Sequence, residues 1–339
     1  MNQKYDIVPA RLIRTGCLQM QGYVDLCSLD RKRTTMLRGI GILLVLLGHT
    51  GYVEWGGAGG VVIFLILSGY GIDRSCESGG LRDFWRKRFL AVWLPYALAS
   101  LYHIAANHVK DPMSIICTII GADFNLGLLA DKTMWYISYV MFWYFAYYII
   151  ACAVSFIRKP AIRQAARCVS LLAAAYGFRE LCILGFWSSG SLAWLYHFAF
   201  PIGVILSSLT MVRVKKTVFT DSWLVLFIGS TLYTIGAYAN EYSLKSAMAM
   251  GLLFVAAVQL LTSVGPAEEI LLWFGKYSYP LYLFEGMVLE KRNYWFGKLE
   301  NQMLIDLVFI LFSCLLAAVF WDGIYLKIRK QLIIKENNP

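Results

Sequence analysis

Charge is scarce in this sequence. Asp, Glu, Lys and Arg make up 15% of its residues, against about 25% in an average soluble domain. Apolar residues reach 59%, and the mean hydropathy is +0.59. That much apolar surface cannot be hidden in one aqueous core, so a bilayer has to take it. The motifs of soluble enzymes are also missing: there is no P-loop, no GxSxG and no HExxH. The eight cysteines, at 17, 27, 76, 117, 152, 168, 182 and 314, show neither paired nor metal-like spacing. Most lie in or beside apolar runs, where they read as small hydrophobes rather than a disulfide framework. Residues 1–35 contain no long apolar stretch and no small-residue cleavage site. They read as a cytoplasmic arm, not a signal peptide. Internal repeats, heptads and low-complexity tracts are absent as well.

What the chain does have is continuous apolar runs. A membrane helix needs about 20 mostly apolar residues, and lipid offers no partner for an open backbone. A transmembrane barrel would instead show alternating strands of about ten residues. Spans are expected near 38–54, 59–73, 89–106, 134–157, 168–186, 192–211, 218–238, 246–264, 270–289 and 302–324. The fold class is therefore all-α, a polytopic membrane bundle of about ten helices. The net charge of +10 does not point to nucleic acid, because the charges punctuate apolar runs. Lys and Arg number seven through Arg38, five in 74–88, four in 158–167, three in 211–217 and four after 324. The alternate connections carry six, so both termini are expected in the cytoplasm. The same parity favours an external or re-entrant element at 113–130, with Asp123 and Asn125, over the alternative of a true span. The chain divides into an arm (1–35), a membrane domain (36–326) and a tail (327–339).

The first span, LRGIGILLVLLGHTGYV, places Arg38 at its cytoplasmic mouth and His49 eleven residues on. Eleven steps of about 100° return to nearly the same face, with a rise of roughly 16 Å. An ionisable group at that depth is costly and points to function. Imidazole there can be a base or a nucleophile. The plainer reading is a histidine bonded between helices, with Arg38 as an orientation anchor, and the residues alone leave both open. Glycines 56, 57, 59, 60, 69 and 71 bracket a short apolar run and allow close helix packing. Arg86, Lys87 and Arg88 can hold the phosphates of an anionic ligand, or simply orient the chain. The fourth span holds Trp135, Tyr136, Tyr139, Trp143, Tyr144, Tyr147 and Tyr148, suited to an interfacial belt or a sugar-binding wall. Arg179 and Glu180 lie within the fifth span, and His197 in the sixth. Glu285 is an intramembrane acid, with Lys276 as a counter-charge or a cytosolic anchor.

Taken in order, LRGIGILLVLLGH, GGAGGVVIFLILSGYGI, FWRKRFLAVWLPY, MWYISYVMFWY and GKYSYPLYLFE resemble the acyltransferase-3 family of membrane acyltransferases. The likeness covers roughly residues 30–325, and its first three motifs are the specific part. The resemblance implies acyl transfer, usually of acetyl from cytoplasmic acetyl-CoA, to hydroxyls of cell-surface or lipid-linked glycans. It implies bacterial inner-membrane residence and contact with membrane lipid, with no nucleic acid and no metal. By motif position Arg38 and His49 correspond to the essential pair. Arg88 corresponds to the first arginine of the basic element, whose second arginine is replaced by Ala91. The late segment often ends in histidine, where this chain has Glu285. The donor site is then Arg38, Arg86, Lys87 and Arg88, and the acceptor side Trp135, Tyr136 and Glu285. Two other expectations compete: a transporter or flippase using His49, Arg179 and Glu285, and an inactive family member.

Overall fold

The computed structural model describes residues 8–9, 22–53, 56–122, 128–184, 193–238, 244–261, 265–296 and 303–337. Asp123, Asn125 and the ends of several expected spans (at 54, 185–186, 192, 262–264 and 302) lie outside the described residues. The rest forms an all-α bundle with one small sheet.

The first helix, α1 (Arg31–His49), begins seven residues before the expected span. Asp30 sets this start, because its carboxylate accepts the Arg33 amide at 2.8 Å and satisfies an otherwise orphaned donor. The cationic run RKR is thus the first helical turn and not part of a loose arm. α2 (Gly56–Gly79) likewise runs six residues past the expected end. α3 (Phe84–Arg88) leads through a π-helical stretch, Phe89–Trp93, into α4 (Leu94–Ala106). α5 (Pro112–Ile120) is capped by Asp111 at one end and by left-handed Gly121 at the other. The Ser114 amide also holds the Asp111 carboxyl below its ordinary value. Nine residues rise only about 14 Å, too little to cross a bilayer.

α6 (Trp135–Ala153), α7 (Pro160–Ile183), α8 (Ala199–Ser208), α9 (Lys216–Tyr238) and α10 (Leu244–Leu260) follow. The chain ends with α11 (Ala267–Phe296), α12 (Met303–Ala318), a second π-helical stretch (Val319–Tyr325) and α13 (Leu326–Asn337). Among the described residues, five helical stretches have the length and apolar character of a crossing: 56–79, 84–106, 132–153, 216–237 and 303–332. Two apolar stretches, 199–211 and 246–260, are shorter. α1, α7 and α11 carry more charge; on α11 only Glu285 and Arg292 among the charged residues are buried, and the charges of α1 are exposed or half-buried. The outermost helices turn bare apolar side chains outward, such as Val225 and Leu232 on α9 and Leu304 and Leu311 on α12. Surface of that extent suits lipid, and the protein is an integral membrane protein.

α1 packs between α2 and α11, and α2 also meets α8 and α10. Close approach explains two of the α1–α11 glycines. A β-carbon on Gly39 would strike the Leu271 carbonyl, and one on Gly275 would strike the Thr35 carbonyl. Further along, His49 meets Glu285, so α1 and α11 run side by side in the same direction. α12 runs the other way, since Asp306 bonds Arg292 while Asp322, sixteen residues later, bonds Tyr277.

The arm contributes structure that the sequence pattern did not foretell. β1 (Val8–Pro9) and β2 (Tyr23–Asp25) flank β3 (Val212–Lys215), both antiparallel to it. Asp25 stands opposite Arg213, and the Trp223 indole of α9 donates to the Leu26 carbonyl at 2.7 Å. The arm and the 211–217 connection therefore lie at the same end of the bundle.

Candidate active site

A cavity of about 970 Å³ runs between α1, α2, α6, α11 and α13. Its wall contains both residues of the spaced pair, Arg38 and His49, because their eleven-residue interval keeps them on one face of α1. His49 sits at one end, at the last residue of α1. Its side chain keeps 40% of its surface open, while Glu285 on α11 is wholly buried behind it. His49 Nδ1 lies 2.9 Å from both carboxylate oxygens of Glu285. When Glu285 is ionised it only accepts, so Nδ1 then carries the proton and Nε2 is left as the basic nitrogen. Glu285, expected on the acceptor side, is thus the partner of His49. Lys276 is not its counter-charge: the Lys276 ammonium lies 3.3 Å from Asp322, which also accepts the Tyr277 hydroxyl.

The opposite end of the cavity is cationic. Arg38, Arg88, Lys276 and Arg329 line it, with Lys132 nearer His49, and among the described residues no aspartate or glutamate lines the space. Among the described residues Arg38, Arg88 and Arg329 have no carboxylate partner. Arg88 is steered instead by aromatic faces, its guanidinium carbon 5.7 Å from the ring centres of both Phe84 and Tyr144. Arg86 and Lys87 are exposed on α3 and do not reach the cavity. Ala91 lies in the wall one turn beyond Arg88. Arg329 had counted only as a charge of the tail, and no sequence signal beyond its cationic character marked it.

Two π-helical stretches shape this end. Such turns leave carbonyls without their usual helical partners and recur at functional sites. The carbonyls of Leu90 and Val92 accept the hydroxyls of Tyr325 and Tyr279, each at 2.7 Å. Both tyrosines line the cavity.

The aromatic run of α6 divides by face. Trp135, Tyr136 and Tyr144 line the cavity, while Tyr139, Trp143 and Tyr147 are buried in the core. An interfacial belt is therefore not the main role of this run. Trp135 stacks on Tyr196 with ring centres 5.7 Å apart, and Tyr136 meets Tyr282 edge-on at 5.7 Å. Of the α2 glycines, 57 and 71 open onto the cavity, whereas 56, 60 and 69 each abut a neighbouring helix carbonyl. Arg179 and Glu180 pair with each other at 2.6 Å, half exposed. His197 is buried beside Phe198, outside the cavity wall.

A second buried polar group lies elsewhere and was missed from sequence. Asp73 of α2 is wholly buried and pairs with Arg167 of α7, which also holds Glu77 at 2.9 Å. Tyr147 and Gln164 each donate to Asp73 at 2.8 Å. Arg167 had read as one of the four orientation charges of 158–167. Beyond the cavity's outer end, Arg292 and Asp306 pair at 2.8 Å, and the Tyr52 hydroxyl donates to Asp306.

The site is thus an apolar helical bundle with a histidine–carboxylate pair at one end of a cavity and cationic side chains at the other. A family described as an acyltransferase domain matches residues 32–322. The chain belongs to this acyltransferase-3 family, and it is a membrane acyltransferase. No match was found among curated proteins, and none among solved structures.

Proposed function

We propose that the protein transfers an acetyl group from cytoplasmic acetyl-CoA to a hydroxyl of a cell-surface or lipid-linked glycan. In this reading it sits in a bacterial inner membrane with ten spans and both termini in the cytoplasm. One observation carries it: the His49–Glu285 pair stands at one end of a cavity whose other end holds guanidinium groups that have no carboxylate partner among the described residues. A donor with phosphates at one end and a thioester at the other matches that polarity when it enters lengthwise. Arg38 and Arg88 meet phosphate oxygens, for which the guanidinium fork is suited. The thioester then lies toward His49.

The acceptor hydroxyl approaches from the His49 end, where Trp135 and Tyr136 offer ring faces to a sugar. His49 Nε2 takes the hydroxyl proton as the oxygen attacks the thioester carbonyl. The carbon–sulfur bond breaks, and the imidazolium returns its proton to the departing thiolate. An alternative order uses the same nitrogen as nucleophile: it expels the CoA thiolate to give an acyl-imidazolium, and the hydroxyl then displaces the imidazole, its proton passing to the thiolate. In both orders the Glu285 carboxylate stabilises the imidazolium and fixes which nitrogen faces the substrate.

The test is transfer of labelled acetyl from acetyl-CoA to cell-envelope glycan in membranes holding wild-type protein, His49→Ala or neither. Label with wild type alone is the expected result. Equal label from wild type and His49→Ala removes the catalytic histidine, and no label from folded wild type removes acetyl transfer.

A further inference from the structure

The cavity's cationic end includes a group that the motif pattern never singled out, Arg329 on α13. Three observations bear on its role. First, it faces the cavity although it sits only ten residues from the end of the chain. The preceding π-helical stretch brings Tyr325 against the Leu90 carbonyl, and Arg329, four residues on, falls on the same face. Second, its charge is unspent. Its guanidinium touches the Tyr325 hydroxyl, its Nε is buried without a hydrogen-bond acceptor, and no carboxylate pairs with it among the described residues. Lys276 lines the same end but is already neutralised by Asp322.

Third, its depth differs from that of Arg38. Asp322 lies level with Lys276 and Tyr277 of α11, and α11 lies level with the Arg38 region of α1 through Gly39 and Leu271. From Asp322 the chain runs away from His49, and seven residues rise roughly 10 Å to Arg329. The cations are therefore staggered along the cavity, with Arg38 nearer His49 and Arg329 further out. A CoA thioester carries its phosphates in the same stagger. The pantetheine arm separates the thioester from the diphosphate, and the 3′-phosphate of the adenosine lies beyond.

Resting on the acyl-CoA reading above, we infer that Arg329 binds the 3′-phosphate of the donor, while Arg38 and Arg88 meet the diphosphate. The C-terminal helix is then part of the donor site.

The experiment titrates purified, detergent-solubilised full-length protein with CoA and with dephospho-CoA, which lacks only the 3′-phosphate. Wild type should bind CoA more tightly by about tenfold or more, as a charge-assisted contact of this kind contributes. Arg329→Ala should bind both ligands equally, at the wild-type level for dephospho-CoA. Arg329→Lys, which keeps the charge and the packing stem, should retain part of the preference. Lys330→Ala removes a neighbouring charge that points away from the cavity, and should retain all of it. Wild type that binds the two ligands equally overturns the assignment, as does Arg329→Ala that keeps the preference. Arg329→Ala that loses dephospho-CoA along with CoA also overturns it, since the effect is then structural. Folded wild type that binds neither ligand overturns the donor reading itself, and this assignment with it.

Discussion

The bundle holds two arginine-bearing interiors that treat charge in opposite ways. Around Asp73, each charge has an opposite partner: Arg167 reaches both Asp73 and Glu77, and Tyr147 and Gln164 add hydrogen bonds to the Asp73 carboxylate. Around the cavity, Arg38, Arg88 and Arg329 line open space with no acid in the wall among the described residues. The paired cluster around Asp73 joins α2, α6 and α7. An unsatisfied one is stable only because water or a ligand reaches it, and its repulsion is relieved when an anion arrives. Cationic character alone does not separate the two kinds of site; the location of the counter-charge does.

The contrast can be broken by substitution. The largest effect is expected at Arg167→Ala, which leaves Asp73 buried without its cation. Stability should fall by about 3–5 kcal/mol, read by denaturant unfolding in detergent, while activity per folded molecule stays near wild type. Loss of activity at unchanged stability would move Arg167 from the structural to the functional side. Next is Glu285→Gln, which keeps the shape beside His49 but removes the negative charge. Acetyl transfer should drop by about 10²-fold or more with the fold retained, and undiminished transfer would reduce Glu285 to packing. The smallest effect belongs to the half-exposed Lys276–Asp322 pair. Lys276→Ala should change stability by at most about 1 kcal/mol, and a larger loss would show that this pair behaves like the buried one.

Much of the active side was legible in the sequence, because a helix is a local object. The eleven-residue interval from Arg38 to His49 fixes their common face before any tertiary contact is known. Apolar run length likewise placed helices over the expected spans. Pairings across the chain were not legible. Glu285 stood out as an intramembrane acid, but its bond to a histidine 236 residues away depends on α1 and α11 being neighbours. Arg167 and Arg329 were hidden for a different reason: each sits in a basic connection or tail, where a cation is ordinary. Burial against Asp73 and a π-helical register shift decide their roles, and neither shows in a hydropathy pattern. The short strands were hidden because two to four residues carry too little periodicity to be read.

The three-stranded sheet also sets an order of events during synthesis. β2 leaves the ribosome before any helix of the bundle, yet its partner β3 follows α8. The N-terminal strands must therefore wait unpaired until eight helices have been made. Only then can Asp25 meet Arg213 and Trp223 close over Leu26. Such distant closure is slow compared with local helix formation, so the sheet is a late clasp, closing only on a chain whose helices α1 to α8 have already been made.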